Sequence, residues 1–142
     1  MSWEMYEIDR RAQALVLQFR DKKDVLGESH KMRMTTAYGL ERFWGEQFRL
    51  MREAKTKDKA DFWQATWTEL CIIMCKAGIN VPNDAIAPEN TAQVKAMTDK
   101  LWDDQFPIEQ RKVTLAVLMQ LCDSLVWWTQ RYKKPRNKED KS

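Results

Sequence analysis

A chain of 142 residues, 44% of them hydrophobic, is long enough for one domain with a real core. Only four Gly and four Pro, beside 32% charged residues, argue against a turn-rich β fold and for helix. The net charge of +3, from 24 Lys/Arg against 21 Asp/Glu, permits nucleic-acid contact without demanding it.

The first element in chain order is a helix from Met5 to about Lys23, where Met5, Ile8, Ala12, Leu15 and Phe19 recur at three- and four-residue steps. Gly27 and Ser29 mark a loop. A second helix is expected from about Lys31 to Ala54, carrying Met34, Tyr38, Trp44, Phe48 and Met51. Gly39 and Gly45 weaken it by about 1 kcal/mol each relative to Ala and allow a bend. The charged stretch Lys55 to Asp61 joins it to an antiparallel third helix, or continues the helix. That third helix runs from about Lys59 to Ala77, with Trp63, Trp67, Leu70 and Met74 in one stripe and Gly78 as its C-terminal stop.

Residues Ile79 to Pro88 read as the longest loop. A short fourth helix is expected over Glu89 to Asp103, with Val94, Met97, Leu101 and Trp102 on one side. Pro107 sits where helices often begin, and the last helix reaches about Lys133. Two apolar stripes run along it, Ile108–Leu115–Leu118–Cys122–Leu125–Tyr132 and Val113–Val117–Leu121–Trp128. A helix apolar over so much of its girth is central in the domain or meets a second chain. The polar tail from Lys134 to Ser142 reads as disordered. The expectation is an all-α, single-domain bundle of about five helices over residues 1–133.

No catalytic constellation stands out. The lone histidine, His30, falls in the expected loop and reads as a solvent-exposed residue. Cys71, Cys75 and Cys122 lack paired spacing, so neither a disulfide framework nor a metal site is expected, and buried cysteines behave as small hydrophobes. Glu41, Glu46, Glu53 and Glu69 are scattered, unlike the carboxylate sets that hold magnesium in all-helical pyrophosphatases. Glu46 follows Arg42 by four residues and Glu53 follows Arg49 by four, spacings that suit surface ion pairs. No enzyme activity, cofactor or catalytic residue is expected. The odd cysteine count favours a reducing compartment. Met1-Ser2-Trp3-Glu4 lacks the basic-then-apolar order of a signal peptide, and no apolar run nears the roughly 20 residues that span a bilayer. A soluble, cytoplasmic protein without a membrane partner is the expectation.

The aromatic and basic residues carry the functional signal. Seven tryptophans in one small chain point to contact between macromolecules. Trp44, Trp63 and Trp67 are most simply core. Trp127 and Trp128 are adjacent, so about 100° apart on a helix, and at least one of them should reach the surface. Arg42, Arg49 and Arg52 share one helical face, with Lys31 and Arg33 ahead of them. Such a ridge can track a phosphate backbone, or be a solvated face balanced by Glu46 and Glu53. Arg131, Lys133, Lys134, Arg136 and Lys138 form a second basic cluster, equally readable as complement to a helix dipole.

Three segments, in order, resemble one family. Lys31-Met32-Arg33 precedes Phe43-Trp44-Gly45-Glu46-Gln47-Phe48; a helix then ends in the Ala77-Gly78 step; a hydrophobic helix closes on Trp127-Trp128-Thr129-Gln130-Arg131-Tyr132-Lys133. Over roughly residues 29–133 this is similar to the small, all-helical Csm-type subunit of type III CRISPR effector complexes. Where that family commonly carries a basic residue after the Ala-Gly step, this chain has Ile79, and Lys76 is the nearest basic residue. The resemblance implies a non-catalytic role in antiviral defence. Copies would stack on themselves and on other effector-complex subunits, bracing a ribonucleoprotein and lining a channel for guide and target RNA. Arg33, Arg42, Arg49, Lys76 and Arg131 are the candidates for RNA-backbone contact. Trp127, Trp128 and Tyr132 are the candidates for subunit contact. A helical protein–protein adaptor or homodimer, without a nucleic-acid role, is the competing reading.

Overall fold

The computed structural model describes residues 5–87 and 89–134. Among them are six α-helices and no strand, an all-α single domain close to the expected five helices. The extra helix arises from a break in the expected second one.

Helix α1 (Met5–Phe19) buries Ile8, Ala12, Leu15, Val16 and Phe19 along one face. It stops short of Lys23 because the chain turns at Asp24, whose φ of 59° is left-handed. Helix α2 (Glu28–Thr35) then begins inside the expected loop. Glu28 and Ser29 are buried, which their polar character hides from a sequence reading. The Glu28 carboxylate accepts from the Trp63 indole N–H at 3.0 Å and meets Lys31 Nζ at 3.2 Å, so a polar side chain locks α2 onto the core. His30 is exposed as expected, but on α2 rather than in a loop.

A 3-10 turn over Thr36–Tyr38 leads to Gly39, whose φ of 102° and ψ of 171° lie where only glycine is comfortable. There the expected second helix divides, and α3 (Leu40–Met51) sets off separately. After a 3-10 turn at Ala54–Thr56, α4 (Lys57–Lys76) returns antiparallel to α3. Phe43 meets Trp63 at 4.8 Å and Trp67 at 6.3 Å between ring centroids. Trp44, Trp63 and Trp67 are all buried, as expected of core tryptophans. Helix α4 ends as Gly78 predicts: Gly78, at φ 80°, donates to Cys75 O and Ile79 donates to Met74 O.

The following extended segment is fastened by the Trp67 indole N–H, which donates to Pro82 O at 3.1 Å. The Asn90 side chain caps α5 (Thr91–Trp102) by accepting from Gln93 N at 3.0 Å. Met97 and Leu101 of α5 are buried, whereas Trp102 is exposed. Pro107 then precedes α6 (Ile108–Tyr132), the longest helix. Helix α6 lies parallel to α1, since Asp9 meets Ser124 and Gln13 meets Tyr132. Helix α4 runs antiparallel to α1, with Arg11 on Glu69 at 2.8 Å. Leu118, Leu121, Cys122 and Leu125 place α6 in the core, the first of the two roles its apolar girth allows. The expected disordered tail, with Arg136 and Lys138, lies beyond the described residues apart from Lys134, and Trp3 also lies outside them.

Candidate functional site

The C-terminal half of α6 carries four of the candidate residues, Trp127, Trp128, Arg131 and Tyr132. Trp127 is 49% exposed, a large ring left in solvent. Its neighbours fix it: Trp128 meets it edge-on at 4.7 Å, and the Arg131 guanidinium lies 3.8 Å over its ring. Arg131 also donates to Trp127 O at 3.3 Å, so the cation is held by its own helix as well as by the indole. Trp128 in turn stacks on Tyr132 at 5.6 Å with planes 9° apart. The result is a run of three rings and one guanidinium down one side of the helix end.

The expected surface ring is therefore Trp127. Trp128 is half-buried, and its indole N–H is buried with no hydrogen-bond partner among the described residues. Tyr132 turns toward α1: its hydroxyl accepts from Gln13 at 2.8 Å and its carbonyl accepts from Arg20 at 2.7 Å. Of the three aromatic candidates, Trp127 presents itself outward, and Trp128 and Tyr132 support it from behind.

The basic candidates do not converge on one track. Arg33, on α2, reaches Asp123 of α6 at 2.5 Å and Thr36 Oγ1 at 3.1 Å. Lys76, at the end of α4, pairs with Glu7 of α1. Arg49 pairs with Glu46 three residues before it, not with Glu53, which instead faces Lys55 at 3.5 Å. Arg42 is exposed and has no ion-pair partner among the described residues. Arg42 and Arg49 share a face of α3, which packs chiefly on α4, so this ridge and the α6 face belong to different sides of the bundle. Arg33 and Arg131, by contrast, both flank the α6 surface.

Beside Trp127 lies a groove of about 430 Å³ between α6 and the start of α1. Sequence reading missed it, because Asp9 and Ser124 are 115 residues apart and only the parallel pairing of α1 with α6 brings them together.

The three cysteines divide by burial. Burial pushes the Cys71 thiol up to about 12 and the Cys122 thiol higher still, while Cys75 is exposed. Among the described residues, no group of three or more His, Cys, Asp or Glu is arranged to hold a metal ion. No described helix is long and apolar enough to cross a membrane. Comparison with family models, curated proteins and solved structures finds no match for this chain.

Proposed function

We propose that this protein is a non-catalytic small subunit of a cytoplasmic RNA-guided effector ribonucleoprotein, the role implied by its resemblance to Csm-type subunits. It works by contact. The outer face of α6 meets a neighbouring protein subunit, and the α3 ridge of Arg42 and Arg49 meets RNA phosphates.

The observation that carries the reading is Trp127, half exposed yet held in place by Arg131 and Trp128. A surface ring that is already ordered loses little entropy on docking, and tryptophan and arginine dominate the strong points of protein interfaces. For RNA, support comes from Arg42, whose guanidinium is exposed and uncommitted among the described residues. The competing reading is an adaptor or homodimer with no nucleic-acid role. Its support is that Arg33, Arg49 and Lys76 each already face a carboxylate.

Photo-crosslinking in the native host separates these. A photoreactive residue in place of Trp127 is expected to capture protein, and one in place of Arg42 to capture short RNAs of uniform length. Capture of protein at both positions, with no RNA, favours the adaptor. Capture of neither sinks both readings.

A further inference from the structure

The α6 groove has a charge of its own. Its walls are Asp9 from α1 with Gln120, Asp123, Ser124, Trp127 and Trp128 from α6, so among the described residues two carboxylates and two indoles line it and no Lys or Arg does. Asp123 shares its charge with Arg33 at 2.5 Å. Asp9 does not: it accepts from the Ser124 hydroxyl at 2.5 Å and has no cationic partner among the described residues.

A phosphate entering here would meet the like charge of Asp9, with Asp123 already paired to Arg33. A cation would meet the Asp9 carboxylate and the electron-rich faces of indoles. Trp127 already binds one guanidinium, because Arg131 lies 3.8 Å above its ring. The ring is still 49% exposed with that contact made. Ser124, itself buried, fixes the Asp9 carboxylate by one oxygen and leaves acceptor positions on it unfilled.

We propose that this groove binds an arginine side chain of a partner protein, with the guanidinium laid against the indoles and paired to Asp9. Arginine suits the site better than lysine. Its planar cation stacks on aromatic faces and pairs in two-pronged fashion with a carboxylate, and it is less strongly hydrated than an ammonium. This inference rests on the docking role given to α6 above and names the chemistry of the partner at that face.

The test is anisotropy of a labelled, acetylated Gly-Arg-Gly-Arg-Gly peptide with the full chain at physiological ionic strength. Asp9→Asn keeps the acceptor for Ser124 but removes the charge, and is expected to weaken binding about five- to tenfold. Trp127→Ala is expected to weaken it by a similar factor. Glu46→Gln, the same loss of charge on α3, should leave binding unchanged, and the lysine counterpart of the peptide should bind several-fold more weakly. Wild-type affinity in Asp9→Asn overturns the proposal. So does an equal loss in Glu46→Gln, which would mean general attraction to an acidic surface. If Trp127 captures protein in cells while Asp9→Asn leaves peptide binding intact, the docking role stands and the arginine assignment falls. If the peptide binds in an Asp9-dependent way while Trp127 captures nothing, the groove stands and the docking role falls.

Discussion

The seam between α3 and α4 and the seam between α1 and the end of α6 use the same residue type to opposite ends. In the first, Trp63 and Trp67 are enclosed with Phe43, and each indole N–H has an acceptor, Glu28 for one and Pro82 O for the other. In the second, Trp127 stands half in solvent and the Trp128 N–H lacks a partner among the described residues. Polar ties from Gln13, Arg20 and Asp9 hold that seam along its edge. The contrast is between an aromatic cluster that completes a core and one that is only backed by it. Burial with every polar atom satisfied is what stability requires; a ring left open costs the isolated domain little and is available to something else.

The two seams should therefore respond differently to damage. Trp67→Ala removes a fully buried ring from the α3–α4 seam and the tie to Pro82, and should cost about 3–5 kcal/mol in a urea melt. Glu28→Ala strips the acceptor from the buried Trp63 N–H and should cost about 1–3 kcal/mol, with Glu28→Gln much milder because it keeps an acceptor. Gly39→Ala forces a side chain into left-handed backbone at the entry to α3 and sets its Cβ 3.1 Å from the Glu41 carboxylate. A loss of at least about 1 kcal/mol is expected, read in the same assay. Trp127→Ala, on the other seam, should change stability by no more than about 0.5 kcal/mol while weakening binding of the arginine peptide at that face. A large loss there would make Trp127 a core residue and erase the contrast.

The smallest effect is one of pH. The Lys76 ammonium, hydrogen-bonded to Glu7, is the main cause that holds the Glu7 carboxyl below the usual glutamate range, and Arg11 adds to it. Because the folded value is lowered, the contribution of this α1–α4 tie is fully present above the unfolded glutamate value. It disappears as pH falls through the lowered one. Lys76→Met should move the Glu7 titration midpoint upward in an NMR titration, with little change at neutral pH.

Much of the fold was legible in the sequence because it is locally determined. Gly78 marks the end of α4 and Pro107 the start of α6, and the apolar stripes mark the buried faces of α1 and of the middle of α6, while Ile108 and Val113 near its start are exposed. The break at Gly39 was visible only as a weakness, since the apolar spacing continues across it from Met34 to Trp44. Glu28 reads as loop because its burial goes with Trp63, 35 residues beyond it, and nothing in the local pattern marks Ser29 as buried. The same limit governs the site. Spacing can suggest Arg42 with Glu46, but Arg33 finds Asp123 across 90 residues and Lys76 finds Glu7 across 69. The rings of the α6 face could be read one helix at a time; the carboxylate that completes its groove could not.

The division of the cysteines gives the experimenter a handle. A thiol must shed its proton before it attacks a maleimide, and burial keeps that proton on Cys71 and Cys122. Cys75 lies exposed on the last turn of α4. The unaltered chain should therefore accept a single fluorophore in its native state and three once unfolded. The same dye then serves both as a tag for following assembly and as a gauge of how often the bundle opens.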